Sequence, residues 1–230
     1  MYHKCICGDC FEQFKIMKDN SVDMILTDIP YDGEVMGFVE GGFQRVNRDG
    51  ADMRGFDTER FVRECIRVCS GTFIIFCGNK QMGIIRSIFD SMRPKLQMFR
   101  TINWEKTNVS PMNGQYFFLN SNEFAAAFRK PKAYWSGHCV HTNFVCRTRP
   151  LKYHPTSKPV ELLQKFIQLG CPPNGTVFDP VSGSFSTTIA AALTGRNSIG
   201  VEINKEYFNK AMERISSYDI IPDIRLPQEL

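Results

Sequence analysis

The amino-acid sequence predicts an α/β fold, a doubly wound and mostly parallel sheet, and three observations support this prediction. Short apolar runs rich in β-branched residues are continuous rather than alternating, as in strands buried on both faces. These runs alternate with helical patterns along the chain, which favours parallel pairing. Several of the runs end in a carboxylate and a turn, at the strand end where open α/β sheets bind ligands.

The predicted elements follow one another in a regular order. Buried strands are predicted at residues 22–27, 72–77, 176–178 and 198–201. Helices are predicted at residues 58–69, 82–92, 160–169, 187–194 and 205–216. Additional strands, the later ones candidates for antiparallel pairing, are predicted at 99–104 and 123–128. Residues 33–55 and 130–155 show neither pattern and are expected to be long loops, and the tail from Pro222 is expected to be peripheral.

Length and composition predict a single domain. The 230 residues, 43% hydrophobic and 23% charged, suit one core with a small insertion at about 130–153. Neither a membrane-length apolar run nor a signal peptide is visible, so a cytoplasmic location is expected. Nine cysteines, an odd number, argue against a disulfide framework. The cysteine and histidine clusters contain a single C-x-x-C, at Cys7 and Cys10, and no second one to pair with it, which favours inert buried thiols over a metal site.

Charge is distributed unevenly along the chain. No acidic residue lies between Glu123 and Glu161, and this stretch holds seven Lys and Arg residues with aromatic residues among them. Cations for phosphates and flat rings for bases are typical of a nucleic-acid surface, although a solvated basic loop is the alternative. The candidate nucleic-acid contacts, two of them in the glycine-rich segment 33–55, are Arg45, Arg48, Lys130, Lys132, Trp135, Arg147, Arg149 and Lys152.

Two strand-ending motifs place carboxylates where a ligand would bind. In M-I-L-T-D-I-P-Y, residues 24–31, a buried strand delivers Asp28 together with a proline turn and Tyr31. Taken alone, this pattern is also compatible with an ordinary capped turn. In T-V-F-D-P-V-S-G-S-F, residues 176–185, Asp179 precedes a turn of small residues that lets the backbone approach a cofactor closely.

Two further motifs indicate a nucleoside cofactor. Glu202 ends a strand roughly twenty residues after the small-residue turn, a spacing used by carboxylates that bind ribose hydroxyls. A dinucleotide dehydrogenase would require G-x-G-x-x-G, and only Gly183 is present. In Y-H-P-T-S-K-P, residues 153–159, Lys158 and two hydroxyls precede a helix, which suits a carboxylate ligand. A plain capped helix start is the alternative.

Together, these motifs resemble those of the β-class DNA amino-methyltransferases. In that family a D-P-P-Y motif precedes a target-recognition region, then H-P-[TA]-x-K-P, D-P-F-x-G-S-G-T-T and G-x-E, and this chain follows the same order. Residues 8–31 also resemble the family's first segment, so nearly the whole chain is covered. The resemblance implies methyl transfer from S-adenosylmethionine to N6 of adenine in double-stranded DNA, by direct attack on a flipped-out base. It is compatible with a homodimer and with a partner restriction endonuclease.

The resemblance also implies roles for individual residues. Asp28 and the Ile29 carbonyl would accept hydrogen bonds from the amino group, and Tyr31 would stack on the base. The implied catalytic residues are Asp28, Ile29, Pro30 and Tyr31. The implied cofactor-binding residues are Asp9, Cys10, Ser157, Lys158, Asp179, Pro180, Gly183, Ser184, Phe185, Glu202 and Asn204. The basic stretch 130–152, helped by 33–55, would read the DNA sequence.

Two positions depart from the family pattern. Ile29 replaces the first proline of the catalytic motif, but its carbonyl is retained. Phe185 replaces the second glycine of G-S-G, so its ring must either point away from the cofactor or pack on it. If the ring intrudes, the chain would instead be a non-catalytic nucleic-acid-binding relic of the fold. Aspartate at position 28 favours adenine in this family, but cytosine-N4 methylation and an RNA substrate are also compatible with these motifs.

Overall fold

The computed structural model describes residues 1–31, 36–39, 42–45, 56–109, 111, 114, 117–154 and 156–226, with only the backbone between 36 and 45. The helices are α1 (Cys10–Ile16), α2 (Thr58–Val68), α3 (Asn79–Ser91), α4 (Val160–Gly170), α5 (Ser186–Leu193) and α6 (Lys205–Ser216). The strands are β1 (His3–Cys7), β2 (Val22–Asp28), β3 (Met36–Val39), β4 (Gly42–Arg45), β5 (Cys69–Phe76), β6 (Gln97–Lys106), β7 (Asn122–Arg129), β8 (Asn143–Cys146), β9 (Thr176–Asp179), β10 (Asn197–Glu202) and β11 (Asp223–Arg225).

One sheet of nine strands organises the molecule, in the order β11-β1-β10-β9-β2-β5-β7-β6-β8, and β3 and β4 form a separate hairpin. Strand β7 is antiparallel to its neighbours β5 and β6, and the other pairs of the large sheet are parallel. The carboxyl ends of the parallel strands and the amino end of β7 therefore share one edge. We call it the carboxyl edge, and the opposite one the amino edge.

Helices cover both faces of the sheet, as the double winding requires. Neighbouring residues of β2 point to opposite faces, so Ile25 packs with residues of α1, α2 and α3, whereas Leu26 packs with residues of α4 and α5. A third apolar cluster joins β1 to α5 and α6. Each large apolar side chain buried in this way contributes about 1.5–3 kcal/mol. The rigid sandwich fixes the carboxyl edge, where the candidate site lies.

The structure confirms the predicted α/β fold, and each predicted helix and strand is present with bounds shifted by three residues or fewer. The largest shift at a helix start is in α3, which begins at Asn79 rather than at residue 82. The first turn of α3 is polar, so the apolar pattern of the helix begins only at residue 82. Gln81 is nevertheless buried, and its Oε1 accepts from the Gly78 N–H at 3.0 Å.

The two segments expected to be long loops contain strands, which corrects that expectation. Residues 33–55 include the β3–β4 hairpin, and residues 130–155 include β8, which extends the sheet beside β6. The tail after Pro222 forms β11, an edge strand parallel to β1. These strands have only three or four residues, too few for a clear hydrophobic period. Strand β1 and helix α1 were not assigned from the sequence.

None of the nine cysteines, all of which lie in the described residues, forms a disulfide, and seven of them are buried. In the described segments, no helix is long and apolar enough to cross a membrane. The described residues also contain no group of three or more His, Cys, Asp and Glu side chains arranged to hold a metal ion.

Candidate active site

Three carboxylates predicted from the sequence lie along the carboxyl edge of the sheet. Asp28, Asp179 and Glu202 are the last residues of the neighbouring strands β2, β9 and β10. Asp9 follows β1 at the same edge and caps α1, its Oδ1 accepting from the Phe11 N–H at 2.8 Å. The parallel pairing of these strands therefore brings the predicted acidic residues into one row.

Asp28 forms an ion pair with Lys158, which lies just before α4. Oδ2 of Asp28 accepts from Nζ of Lys158, whereas the buried Oδ1 has no hydrogen-bond partner among the described residues. Burial raises the pKa of Asp28, and the charge of Lys158 opposes that rise. A carboxylate oxygen without a donor is costly in a buried site, so this atom is positioned to bind a ligand N–H.

Glu123, at the amino end of β7, is a second carboxylate that contacts Lys158. Its Oε2 lies 3.0 Å from Nζ of Lys158, and its Oε1 lies 2.9 Å from Nζ of Lys106, in β6. Burial alone would raise the pKa of Glu123, but the two ammonium charges outweigh it and lower the pKa to about 2. The described site is thus a charge network of two carboxylates and two lysines.

The segment after Asp28 is held firmly by neighbouring elements. Ile29 is buried and donates its N–H to the Phe76 carbonyl at 3.1 Å, which continues the β2–β5 pairing. The Pro30 carbonyl accepts from Nε2 of Gln81 at 2.8 Å. Tyr31 donates its hydroxyl to Oε2 of Glu123 at 3.5 Å, and burial raises the pKa of this hydroxyl. An isoleucine in place of proline therefore gains core packing, and Gln81 stabilises the following turn.

Asp179 is buried beneath the small-residue turn. Its Oδ1 accepts from Oγ1 of Thr27 at 2.7 Å and from the Val181 N–H at 3.4 Å. Burial raises the pKa of Asp179 to about 6, although hydrogen bonds from Thr187 and Thr27 oppose the rise. The Asp179 side chain therefore links the small-residue turn to β2 through hydrogen bonds to Thr27 and Val181.

Glu202 holds the same turn from the other side. Oε2 accepts from the Gly183 N–H at 2.8 Å and Oε1 from the Asn204 N–H at 2.7 Å. Gly183 has φ +50, and a Cβ there would overlap Nε2 of His154. The imidazole of His154 thus faces Gly183 where the sequence predicted close approach of a cofactor. Burial lowers the pKa of His154 to about 4.

Phe185 does not line the site, which corrects its predicted place among the cofactor-binding residues. It is 0% exposed and packs on Phe208 with ring centroids 5.7 Å apart. The absence of a side chain at Gly200 makes room, since a Cβ there would come within 2.7 Å of Cε1 of Phe185. The ring therefore points away from the surface of the turn, into the apolar cluster under α5 and α6.

The remaining predicted cofactor residues differ in accessibility. Cys10 lies in the core between α1 and α2, which removes its thiol from the edge. Asn204 caps α6 through its own side chain, and Ser184 contacts Ser186 at 3.1 Å between hydroxyl oxygens. Ser157 donates its hydroxyl to the Arg149 carbonyl at 3.2 Å. Pro180 is buried at the start of the turn.

The predicted DNA contacts separate into two groups at opposite edges of the sheet. Lys130 follows the carboxyl end of antiparallel β7, so it lies at the amino edge and donates to Oδ1 of Asn20 at 2.7 Å. Lys132 and Trp135 follow it there, roughly 20 Å from Glu123 along the strand direction. The structure therefore does not bring Lys130, Lys132 and Trp135 to the site. Arg48 and the side chain of Arg45 lie outside the described residues.

Three basic residues do lie at the carboxyl edge. Strand β8 runs parallel to β6 and pairs Cys146 with Lys106, so Arg147, Arg149 and Lys152 follow at that edge. All three are exposed, and Arg149 forms an ion pair of 2.9 Å with Glu161. Arg147 directly follows the register partner of Lys106 and hence adjoins the Lys106–Glu123 pair, whereas Lys152 lies beside Lys210 and Glu213 of α6.

Glu123 and Lys106 are site residues that the sequence motifs did not indicate. A signal for Glu123 was present, because strand 123–128 was a candidate for antiparallel pairing. An antiparallel strand begins at the edge where its parallel neighbours end, so its first residue falls beside Asp28. Lys106 carried no comparable signal, because it lies beyond the predicted end of its strand.

The chain matches the family model described as DNA methylase, of the N6/N4 type, over residues 22–145 and 135–213. Type II methyltransferase M.HinfI of Haemophilus influenzae is 26% identical over 90% of this chain and 67% of that protein. The crystal structure of the M1.HpyAVI–SAM complex has a TM-score of 0.71 at 24% identity, covering 92% of this chain and 98% of the other. The cytosine-N4-specific PvuII DNA methyltransferase has a TM-score of 0.67 at 14% identity, covering 100% and 97%. These two structures establish the shared fold.

Proposed function

Because the chain belongs to the N6/N4 DNA methylase family, we propose that it methylates N6 of adenine in double-stranded DNA with S-adenosylmethionine. One observation carries the proposal: Asp28 ends β2 with a buried Oδ1 that lacks a donor in the described part of the chain. The amino group of a flipped-out base would supply that donor. Aspartate at this position is the family feature that favours adenine.

The residues at the ends of β1 and β10 are compatible with S-adenosylmethionine, which carries the transferable methyl group on a sulfonium. Each carboxylate oxygen of Glu202 accepts one N–H from Gly183 or Asn204. The Ile203 N–H also points at this carboxylate, which has about four acceptor positions, so Glu202 keeps capacity for a ribose hydroxyl. Asp9 is exposed beside β10 and would face the adenine of the cofactor. The turn at Gly183 and Ser184 would support the methionine part.

Asp28 would act by accepting hydrogen bonds and then a proton. Its Oδ1 and the Ile29 carbonyl would take the two amino hydrogens, which directs the nitrogen lone pair at the methyl carbon. A carbon–nitrogen bond forms while the bond from methyl to sulfur breaks. The nitrogen then carries a positive charge and releases one proton to Asp28. The raised pKa of this carboxyl suits a transient proton acceptor that passes the proton to water.

Tyr31 and the basic residues of the carboxyl edge would hold the DNA. The Tyr31 ring lies beside Asp28 and would stack on the flipped base. Arg147, Arg149 and Lys152 would contact phosphates, which positions the duplex without reading its sequence. A restriction–modification context with a partner endonuclease is part of the proposal, because M.HinfI is a Type II methyltransferase. A homodimer is proposed on the family resemblance alone.

Nucleoside mass spectrometry tests the proposed function. Unmethylated genomic DNA is incubated with the protein and methyl-deuterated S-adenosylmethionine, beside an Asp28→Ala preparation that controls for contaminating methylases. The expected product is deuterated N6-methyladenine, absent from the control. Deuterated N4-methylcytosine would contradict the choice of base, and no label in any nucleoside would contradict the proposed activity.

A further inference from the structure

Lys158 has an unused hydrogen-bond donor at the site. Its side chain is 7% exposed, and Nζ contacts Oδ2 of Asp28 and, at 3.0 Å, Oε2 of Glu123. A lysine ammonium has three N–H donors, so these contacts leave one. That donor has no hydrogen-bond partner in the described part of the chain. A buried charged donor with one position left is suited to a ligand acceptor.

The unused donor lies beside an unused acceptor. Asp28 gives Oδ2 to Lys158 and keeps the buried Oδ1 without a partner among the described residues. Nζ of Lys158 lies 5.8 Å from the centre of the Tyr31 ring, on which the base would stack. The edge of a stacked base therefore comes within reach of an acceptor and a donor held together by one ion pair.

Adenine and cytosine share the edge that complements this pair. Each has an amino group beside a ring nitrogen with a lone pair, N6 beside N1 in adenine and N4 beside N3 in cytosine. Guanine and thymine carry an N–H at the corresponding ring position, and that N–H would face the ammonium. An acceptor next to a donor therefore fits the Watson–Crick edge of adenine or cytosine, where an amino group lies beside an unprotonated ring nitrogen, whereas on that edge of guanine a carbonyl lies beside an N–H.

We propose that Lys158 contacts the target base and donates its third N–H to the ring nitrogen beside the amino group, N1 of adenine. This inference rests on the proposed function and deepens it, because it assigns base selection to a residue expected only at the cofactor. Oδ1 of Asp28 accepts from the amino group while Oδ2 keeps Lys158, so the base binds without breaking the ion pair.

Glu123 is the positioning residue for this contact. Its Oε2 is the second carboxylate oxygen that contacts Lys158, and Lys106 binds its other oxygen at 2.9 Å. Two carboxylates therefore hold the ammonium, which restricts the orientation of its third N–H donor. Replacing Glu123 with glutamine keeps the shape but removes one of the two charges that hold Lys158.

Base analogues test the contact atom by atom. Duplexes carry adenine, 1-deazaadenine or 7-deazaadenine at the methylated position, and single-turnover methyl transfer is measured for the wild type and for Lys158→Met. The transfer rate of the wild type is expected to fall about 10- to 100-fold on 1-deazaadenine, as for the loss of a hydrogen bond to a charged group. On 7-deazaadenine the rate should change little. In Lys158→Met, adenine and 1-deazaadenine are expected to react within about threefold of each other.

The remaining outcomes separate failure of this inference from failure of the proposed function. Equal 1-deazaadenine losses in the wild type and in Lys158→Met, or no loss in the wild type, would overturn the contact while methylation itself is intact. If Lys158→Met does not fold, Glu123→Gln is measured in its place. A rate loss on 1-deazaadenine that is as large in Glu123→Gln as in the wild type then overturns the proposal. If the label enters cytosine, 3-deazacytosine takes the place of 1-deazaadenine. No methylation by the wild type would contradict the proposed function instead.

Discussion

Phe185 shows how one residue departs from a family motif without entering the site. It has φ +56 at the N-cap of α5, the left-handed region where the family has glycine. A side chain in this conformation costs roughly 1–2 kcal/mol. Full burial against Phe208 and Gly200 offsets the cost, since deleting a buried phenylalanine side chain costs about 3–5 kcal/mol. The sequence raised both orientations of this ring, and only packing against Gly200 distinguishes them.

Restoring the family glycine is predicted to destabilise the protein. Phe185→Gly relieves the backbone strain but empties the cluster under α5, so the free energy of unfolding should fall by about 2–4 kcal/mol. Because the ring points away from the turn, affinity for S-adenosylmethionine should stay within about threefold where the variant is folded. Urea unfolding and calorimetry check the two parts. A large gain in cofactor affinity would contradict this account and place the ring at the cofactor.

At the scale of elements, the sequence was informative where strands are long and buried. The apolar runs of β2, β5, β9 and β10 were sufficient to place Asp28, Asp179 and Glu202 at one edge. Glu123 and Lys106 required the strand order, because β7 and β6 are antiparallel and bring their opposite ends together. The pair of Glu123 and Lys158 spans 35 positions of sequence, which no local pattern reports.

Strand order also divides the basic stretch that the sequence treated as one surface. Residues 130–137 lie at the amino edge, where the Ser136 N–H donates to the Leu169 carbonyl at 3.0 Å. Strand β8 then carries the chain to the carboxyl edge. Whether 130–153 forms a recognition insertion stays a prediction, but only its later part adjoins Asp28.

DNA binding is predicted to depend on the basic residues at the carboxyl edge and not on those at the amino edge. Arg147→Gln should weaken duplex binding about three- to tenfold and reduce the slope of log affinity against log salt by about one. Lys132→Gln is the matched control at the amino edge, where both quantities should stay near the wild-type values. Fluorescence anisotropy across salt concentrations measures both. Equal effects of the two substitutions would contradict the assignment of the DNA surface to the carboxyl edge.

At the scale of the whole molecule, the site concentrates charge inside a stable sandwich. Asp179 is buried and Asp28 and Glu123 are partly buried at the carboxyl edge, and lysines and a threonine hydroxyl compensate their charges. The compensation is incomplete for Asp179, whose pKa rises to about 6 through burial. A carboxyl that binds its proton more tightly when folded stabilises the fold at low pH and loses that contribution as pH rises.

Asp179→Asn is therefore predicted to change the pH dependence of stability. As pH rises from below 3 to above 7, the wild type loses about 3 kcal/mol relative to the variant, the equivalent of a two-unit rise in pKa, and roughly two thirds of this loss falls between pH 4.5 and pH 7.5. His154, with its pKa lowered to about 4, acts in the opposite direction but is present in both proteins and cancels. Urea unfolding at pH 4.5 and pH 7.5 measures the difference. A difference in stability between wild type and variant that does not vary with pH would contradict the raised pKa of Asp179.

The central claim is that Asp28 accepts the amino group of the target base, and the rate of methyl transfer by Asp28→Asn tests it most directly. Single-turnover transfer to the same genomic DNA is compared for the wild type, Asp28→Asn and Asp90→Asn, an exposed aspartate on α3 that pairs with Arg86. Transfer by Asp28→Asn should fall about a hundredfold or more, with S-adenosylmethionine affinity and folding retained. Asp90→Asn should match the wild type. Transfer by Asp28→Asn at more than about a tenth of the wild-type rate would contradict the claim.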